Sequence, residues 1–426
     1  MIYAIPEQIG ILACPGGAAF AHRMVGDLEE QALRKFRRKI DVLASRYGRS
    51  NDELLRHINL SLDLHPTTLD LTQAVDEFRP ASFRIPAYFT RFANGEFKTE
   101  ILSSIRNSDV YVVQDVENHH PLSLNRGEAE KHVLSVNDHV FCLLVTIDAA
   151  LHAGAKSVTA VLPTYPYARQ HKKQGREGLT AARIGQFLEF AGVNRIITLD
   201  LHSKEIENCF NRLRLEDLHA SYQILRVLST VVDLKDPELT IVSADTGSIA
   251  RNKFYATALG KPLGLIYKER DYSKVSRSAK QSNITNVRLL GDVENKTVFM
   301  ADDMLGTGGT LLRAMATLKD MGARRIICAV SLPFFSGNSV EVFDDAHRKG
   351  LFHRLIGTNA VYHDKDLLRR GWYLSADITA LFARSIYRLH AGRSLSSLLD
   401  NRRIIQHMLG KQGGPGPEAE GRKGGV

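Results

Sequence analysis

Short apolar runs alternate with helix-like patterns from about residue 80 onward, and this rhythm constrains the fold more than any other feature. One series contains DVYVVQ (109–114), SVTAVLP and RIITLDLH, and a second contains LTIVSAD, PLGLIY, TVFMADD and RIICAVSL. Strands that are apolar throughout and joined by helices are typical of parallel sheets covered on both faces. The sequence therefore predicts an α/β protein with two doubly wound parallel-sheet domains, at 1–215 and 216–390.

Three segments lie outside this rhythm. Residues 27–80 are polar, with an apolar stripe at helical spacing from Leu28 to Tyr47, which favours a surface helical hairpin inserted near the N-terminus. Residues 391–405 are expected to pack back on the N-terminal domain. The Gly/Pro-rich end at 411–426 has no apolar anchors, so it predicts a disordered tail.

The longest helix-like pattern of the first series follows DVYVVQ. Apolar residues recur at helical spacing from Val133 to Ile147, and Gly154 supplies a stop signal. The pattern predicts one long helix over this stretch.

The apolar start MIYAIPEQIGILACPGGAAFA has two interpretations. A secretory signal peptide is disfavoured, because a basic n-region is missing and Pro and Gly interrupt the apolar run. A first core strand and its turn are favoured instead. No uninterrupted apolar stretch is long enough to cross a membrane, and four widely spaced cysteines indicate reduced thiols in a cytoplasm.

A net charge of +9 indicates an anionic partner. Apart from RKFRRK at 34–39, the basic residues are spread along the chain, and no nucleic-acid-binding signature occurs. A small phosphorylated ligand is therefore favoured over nucleic acid or an anionic membrane.

Polar residues gather where the predicted strands end, which is where open α/β sheets bind ligands. Each has a plain explanation when taken alone: a hydrogen-bonded histidine, a helix N-cap, or a solvated charge. Their shared position makes a ligand site the better hypothesis. These residues are Arg169, Gln170, Asp200, His202, Asp245, Lys268 and Arg270.

The stretch MADDMLGTGGTLLRA (300–314) places two acids in front of a Gly/Thr turn that opens a helix. Such a turn binds anions through unpaired N–H groups and the helix dipole. No Lys-Ser/Thr pair follows the glycines, so this is not a Walker loop. A sugar phosphate fits: the loop takes the phosphate, and the acids face vicinal hydroxyls or a divalent cation.

ADDMLGTGGT resembles the phosphoribosyl-pyrophosphate loop shared by type I phosphoribosyltransferases and ribose-phosphate pyrophosphokinases. RFANGEF, VLPTYPYARQ, RIITLDLHS, IVSADTGSIAR and YKER follow in the order and approximate spacing of the second family. The resemblance is loose over 1–24 and close over about 82–403. It implies transfer of the β,γ-diphosphoryl group of Mg-ATP to the anomeric hydroxyl of ribose 5-phosphate, giving phosphoribosyl pyrophosphate and AMP.

The resemblance also implies roles for individual residues. Two positions would be ligands of the nucleotide Mg²⁺, His202 and Asp245. Three positions would approach adenine from a neighbouring subunit, Phe92, Asn94 and Glu96, and two would contact ATP within the subunit, Arg169 and Gln170. The ribose 5-phosphate site would comprise Asp302, Asp303, Gly306, Thr307, Gly308, Gly309 and Thr310. The catalytic cations would be Lys268, Arg270 and Arg176. An allosteric phosphate or ADP site would include Ser104, Arg106, Ser394 and Ser396.

The partners implied are ATP and ribose 5-phosphate in a cytoplasmic homo-oligomer built from dimers, with a hexamer as one arrangement, and neither nucleic acid nor membrane. The sequence departs from the family pattern at Gly306 and His171, which replace acids, and in the 27–80 insertion. Two alternatives stay open: a phosphoribosyltransferase, and a catalytically silent paralogue that regulates an active partner.

Overall fold

The computed structural model describes residues 8–57, 83–127, 129–173, 175–270 and 284–410. By their contacts these residues form two compact units. The first unit runs to Leu218 and also takes in Ala360–Tyr362 and Ile378–Leu395, whereas the second takes His219–Asn359, His363–Asp377 and the described residues from Ser396 onward. Each unit is built on its own mainly parallel sheet, as the sequence predicts.

The first unit contains the following elements along the chain: β1 (Gln8–Ala13), α1 (Ala18–Tyr47), α2 (Asn51–His57), β2 (Ala87–Arg91), β3 (Phe97–Ile101), β4 (Ser108–Val113), β5 (Leu122–Ser123), β6 (Lys131–His132), α3 (Val136–His152), β7 (Ser157–Val161), α4 (Thr180–Phe190), β8 (Arg195–Leu199) and β9 (Arg214–Leu218). Its sheet has the order β1-β4-β7-β8-β9, and all four pairings are parallel. Strands β2 and β3 form a separate antiparallel hairpin.

The second unit contains these elements: α5 (Ser221–Leu228), β10 (Leu239–Ser243), α6 (Ile249–Leu259), β11 (Leu263–Arg270), β12 (Ile284–Leu290), β13 (Thr297–Leu305), α7 (Gly309–Asp320), β14 (Arg325–Pro333), α8 (Ser339–Arg348), β15 (Arg354–Thr358), α9 (Lys365–Leu368) and β16 (Tyr373–Ala376). Three further helices close the described chain, α10 (Thr379–His390), which belongs to the first unit, and α11 (Ser396–Leu399) and α12 (Arg402–Gly410), which belong to the second.

The seven-stranded sheet of the second unit has the order β12-β11-β10-β13-β14-β15-β16. Every pairing is parallel except that of β11 with the edge strand β12. From β10 the chain continues to β11 on one side and later returns as β13 on the other side. The sheet therefore reverses its winding between β10 and β13, and such a switch point opens a crevice beyond the carboxyl ends of the strands.

The predicted insertion at 27–80 does not begin as a separate element. Helix α1 runs without a break from Ala18 to Tyr47, so its second half extends a core helix. Leu28 is fully buried, whereas Tyr47 is 62% exposed, so the apolar stripe is covered only along part of its length. Residues 58–80 lie outside the described chain, as does the predicted tail at 411–426.

Helix α10 covers part of α1 within the first unit. The rings of Phe20 and Phe382 meet edge to face at 5.1 Å, and Thr379 Oγ1 donates a hydrogen bond to Asp27 Oδ2 at 2.7 Å. The first unit also takes in Tyr362, whose backbone N–H donates to the buried Asp115 carboxylate at 2.7 Å. Late segments of the chain thus complete the first unit.

Helix α3 starts later than the apolar spacing predicts. Val133 lies before the helix and is 62% exposed, so its inclusion was wrong. Ser135 is the N-cap: its side chain accepts from Asp138 N–H, and the Asp138 carboxylate accepts from Ser135 N–H. A capping box of this kind fixes the first turn more strongly than one additional apolar residue.

Residues 391–405 do not group with one unit. The chain up to Leu395 groups with the first unit, but the residues from Ser396 group with the second. Asn401 is buried and donates to His219 O and Ser221 Oγ at 3.0 and 2.9 Å, both within the second unit. The expected packing on the N-terminal domain therefore needs correction from Ser396 onward, and the boundary expected at residue 215 falls inside β9.

Asp109, at the start of β4, gives the first unit a stabilising contact that depends on pH. The hydrogen bond from His390 holds the pKa of Asp109 below its ordinary 3.8. A carboxylate with a lowered pKa stabilises the fold above the unfolded pKa, and this contribution is lost as the pH falls through the folded pKa. We expect Asp109→Asn to lower the free energy of unfolding by about 1 kcal/mol at pH 7. Urea unfolding should show the deficit shrinking below pH 3.8; a deficit independent of pH would contradict the assignment.

Candidate functional site

The switch point of the second unit gathers three acidic residues at neighbouring strand ends. Asp245 follows β10 after one residue, while Asp302 and Asp303 lie near the end of β13, the adjacent strand. Asp302 and Asp303 are therefore part of the strand rather than of the turn that follows it. All three are half-buried, so they can be reached by a ligand in the crevice.

Asp245 shapes the turn that begins α6. Its Oδ1 accepts hydrogen bonds from Ser248 N–H at 3.0 Å and from Ser248 Oγ at 3.2 Å. Among the described residues no donor is hydrogen-bonded to its second oxygen. The turn therefore holds Asp245 in one orientation while leaving a carboxylate oxygen for another partner, as a hard cation would require.

The two acids of β13 are anchored by the backbone that carries them. Asp302 Oδ1 accepts from Asp303 N–H at 2.9 Å, and Asp303 Oδ1 accepts from Met304 N–H at 2.8 Å. Burial, together with the Asp303 carboxylate, raises the pKa of Asp302 to about 7. At neutral pH the pair therefore carries less than two full negative charges and can also donate a hydrogen bond.

The loop 306–310 joins β13 to α7 and has the geometry of an anion-binding turn. Gly308 is the N-cap of α7 in a left-handed conformation, with φ of +75°, and Gly309 begins the helix. A Cβ at Gly308 would overlap the ring of Phe343, which is fully buried. The first N–H groups of α7 have no partner within the helix, so they face the place where an anion would lie.

Asn252 is a buried residue of this site that the sequence analysis missed. Its amide donates to Ala301 O at 2.8 Å and accepts from Ala301 N–H at 2.9 Å, which ties α6 to β13 one residue before Asp302. The signal was present: Asn252, Tyr255, Ala256 and Leu259 form the buried face of α6 at helical spacing. A polar residue in such a stripe indicates a specific buried partner.

We expect Asn252→Ala to lower the free energy of unfolding by about 1–3 kcal/mol, because the backbone N–H and C=O of Ala301 would lose their partner in the core. Urea denaturation of the full chain would measure the change. Lys253→Ala provides the matched control, since Lys253 is the next residue of α6 and is exposed. Equal stability of the two variants would show that Asn252 does not hold β13 in place.

Lys268 and Arg270 lie at the end of β11, where β12 pairs with the strand. Lys268 pairs with Val287 and Arg270 with Ile284, and the register shifts between Glu269 and Arg270. The regular pairing of the two strands is therefore interrupted at that step. The segment 271–283, which follows the two predicted catalytic cations, lies outside the described residues.

In the first unit, two turns at the carboxyl edge of the sheet carry the predicted nucleotide residues. Arg169 and Gln170 are exposed in the turn after β7, where Gln170 N–H donates to Tyr167 O at 2.8 Å. His202 is exposed in the turn after β8. The preceding residue, Leu201, anchors this turn because its backbone N–H donates to Asp217 Oδ1 at 2.9 Å. Since β7 and β8 are adjacent, the fold brings these two turns to one edge.

Phe92, Asn94 and Glu96 lie in the turn of the β2–β3 hairpin. The turn closes through Phe92 N–H to Glu96 O at 2.8 Å and through Glu96 N–H to the Asn94 side chain at 3.2 Å. All three residues are exposed, and Phe92 retains 46% of its surface. The hairpin therefore presents an aromatic ring, an amide and a carboxylate to the outside of the first unit.

The remaining predicted residues belong to other segments of the chain. Arg176 is exposed in the segment before α4, and Ser104 and Arg106 are exposed after β3. Ser394 belongs to the first unit and Ser396 to the second, so the four residues expected at an allosteric site do not fall within one unit.

The described residues also bear on whether the chain has a metal cluster, a membrane span or a disulfide. Within the described ranges, no three His, Cys, Asp or Glu side chains come together as a metal site. None of the helices that the structure describes combines the length and apolar character needed to cross a bilayer. All four cysteines are free thiols.

Two family models match the chain. The N-terminal domain of ribose phosphate pyrophosphokinase matches residues 47–192, and the phosphoribosyl transferase domain matches residues 212–366. The two matches divide the chain near the same place as the two compact units.

Relatives of known name match most of the chain. "Ribose-phosphate pyrophosphokinase 2" of Schizosaccharomyces pombe is 33% identical over 309 residues, which is 72% of this chain and 87% of that protein. "Ribose-phosphate pyrophosphokinase 4" of Saccharomyces cerevisiae is 34% identical over 309 residues, covering 72% and 85% of the two chains.

A solved structure has a similar fold. The phosphoribosylpyrophosphate synthetase from Mycobacterium smegmatis aligns with a TM-score of 0.65 and 24% identity, over 91% of this chain and all of that one.

Proposed function

The chain belongs to the ribose-phosphate pyrophosphokinase family, and from this premise we propose which of its residues bind the substrates and carry the transfer. The protein is an enzyme that moves the β,γ-diphosphoryl group of ATP to the anomeric hydroxyl of ribose 5-phosphate, with phosphoribosyl pyrophosphate and AMP as products. Nucleotide biosynthesis consumes that product.

The ribose 5-phosphate site is proposed at the switch point of the second unit. The observation that carries this proposal is the continuity of β13, the loop 306–310 and α7: the acids of the strand lead directly into the anion-binding turn. The loop would hold the 5-phosphate through the N–H groups at the start of α7. Asp302 and Asp303 would accept hydrogen bonds from the ribose hydroxyls. Gly306 stands where the family pattern has an acid, so this position of the loop has no side chain to contact the sugar phosphate.

His202 and Asp245 are proposed as ligands of the Mg²⁺ that accompanies ATP. The residues fit a divalent cation, because Asp245 has an oxygen free of hydrogen bonds among the described residues and His202 supplies an exposed imidazole. When bound, the cation neutralises charge on the phosphate oxygens. By binding the cation, His202 would position the triphosphate near the turn after β8, and Asp245 would position it near the turn after β10.

Lys268, Arg270 and Arg176 are proposed to supply positive charge to the transferring group. Diphosphoryl transfer requires in-line positioning and charge stabilisation rather than covalent participation by the protein. Within the first unit, Arg169 and Gln170 would contact the nucleotide from the turn after β7.

Three residues are proposed to approach the adenine bound by a neighbouring subunit: Phe92, Asn94 and Glu96. The proposed active form is therefore a homo-oligomer built from dimers. The exposure of these three residues in the β2–β3 turn supports this proposal. Ser104, Arg106, Ser394 and Ser396 are proposed as regulatory phosphate contacts by resemblance. A cytoplasmic location is proposed as well, supported by the four free thiols.

The test of the proposed site is AMP release from ATP by the protein alone, with and without ribose 5-phosphate. We expect release that depends on ribose 5-phosphate. His202→Ala should keep the fold yet require sharply more Mg²⁺ for half-maximal rate, whereas His152→Ala, which removes an exposed histidine of α3, should not. No release by a folded protein would instead favour a regulatory paralogue. An unchanged Mg²⁺ requirement in His202→Ala would remove His202 from the cation site.

A further inference from the structure

His171 and His202 lie side by side in the first unit. Their ring centroids are 5.1 Å apart and their planes meet at 71°. The residues come from two different turns, after β7 and after β8, and an ion pair of 3.4 Å between Lys172 and Glu205 joins the same two segments. The fold therefore creates this pair, since the two residues are 31 positions apart in the sequence.

The orientation of His171 suits a metal ligand. Its Nδ1 lies 3.2 Å from the backbone oxygen of Ala168. A carbonyl oxygen only accepts hydrogen bonds, so in the neutral ring Nδ1 carries the hydrogen and Nε2 keeps its lone pair. Metal-binding histidines commonly donate their second ring nitrogen to a backbone carbonyl in this way.

The separation of the two rings also suits shared coordination. With a metal–nitrogen distance of about 2.1 Å, a ring centroid lies roughly 3.2 Å from the metal, so two imidazoles bound at angles of roughly 90–109° have centroids roughly 4.5–5.2 Å apart. The observed 5.1 Å falls within that range.

We propose that His171 is a second imidazole ligand of the nucleotide cation, and that the pair makes this site favour a transition-metal dication such as Co²⁺ over Mg²⁺. The inference rests on the proposed role of His202 in holding the cation. Mg²⁺ prefers oxygen ligands, whereas imidazole is a better ligand for first-row transition metals. Phosphate oxygens of ATP and water would complete the coordination.

The experiment measures Co²⁺ and Mg²⁺ affinities of the full chain by calorimetry, with the metal alone and with a non-hydrolysable ATP analogue. The variants are His171→Ala, His202→Ala and His171→Asp, with His152→Ala as the surface control. We expect the ratio of Co²⁺ to Mg²⁺ affinity to fall by roughly 100-fold or more in either alanine variant, because losing even an outer-shell partner of a metal ligand costs roughly 10–100-fold in affinity. His171→Asp should shift the preference toward Mg²⁺, because it adds a carboxylate.

Pulsed EPR of bound Mn²⁺ gives a second measurement, because each coordinated imidazole is detected through its nitrogen nuclei. Two coordinated imidazoles in the wild type and one in each alanine variant would support the proposal. Loss of selectivity in His202→Ala alone would overturn the role of His171 but keep the proposed cation site. Loss in His171→Ala alone, or in neither variant, would overturn the shared pair and also remove His202 from the cation site.

Discussion

Replacing Lys268 with alanine is expected to lower kcat by about 10²–10³ and to change KM for ATP little, a loss of about 3–4 kcal/mol in transition-state stabilisation. Lys268 lies where β11 is paired with β12, so the backbone that carries it is held on the sheet. If Lys268 acts in the transfer as proposed, it stabilises charge that redistributes in the transition state more than it stabilises bound ATP. Arg270→Ala should have an effect of the same order. Steady-state kinetics with both substrates varied would measure it.

Lys253→Ala is the matched control, since Lys253 is an exposed cation of the same unit. It should leave kcat and KM unchanged. A rise in KM alone for Lys268→Ala would mean that the residue only binds ATP. Kinetics near those of the wild type would show that Lys268 is a solvated charge with no role in the transfer.

Gly308→Ala is expected to destabilise the second unit by about 2–5 kcal/mol. A left-handed backbone costs a residue with a Cβ about 1–2 kcal/mol, and overpacking a core costs about 1–3 kcal/mol more. Both apply here, because φ is +75° and the new Cβ would overlap the buried Phe343 ring. The loop would have to shift, so KM for ribose 5-phosphate should rise as well. Urea unfolding and steady-state kinetics would measure the two effects.

Gly309→Ala tests whether the position or merely the loss of a glycine matters. Gly309 has a helical backbone, and a Cβ there would meet only Arg313 Nη1, at an ordinary 3.5 Å. This variant should retain nearly all of its stability. Similar losses in the two variants would show that the Phe343 contact does not set the loop conformation.

The strands that line the site could be predicted because they are buried on both faces. The sequences of β8 and the first half of β13 are mainly apolar. Polar residues follow β8 and lie near the end of β13, and they mark the carboxyl edge of each sheet. The predicted family and fold are confirmed. The spacing of apolar residues in the sequence does not reveal which residues contact each other in the fold.

Other features depended on contacts distant in sequence. The strand ITNVRLL was not predicted, because its pairing with β11 is antiparallel and interrupts the βα rhythm. Asn252 was missed because its partner, Ala301, is 49 residues away. The conformation of Gly308 depends on Phe343, which belongs to another helix. The roles of the site residues themselves stay predictions.

Because segments late in the chain complete the first unit, its assembly during synthesis has a fixed order. Most of that unit has left the ribosome once β9 is made, yet Tyr362 and α10 follow only after almost the whole second unit. Until then α1 lacks the contact of Phe20 with Phe382, and buried Asp115 lacks its bond from Tyr362. Domains made first usually fold first. Here the nascent N-terminal half would have to wait for α10, and the face of α1 that Phe382 covers would stay exposed until that helix is made.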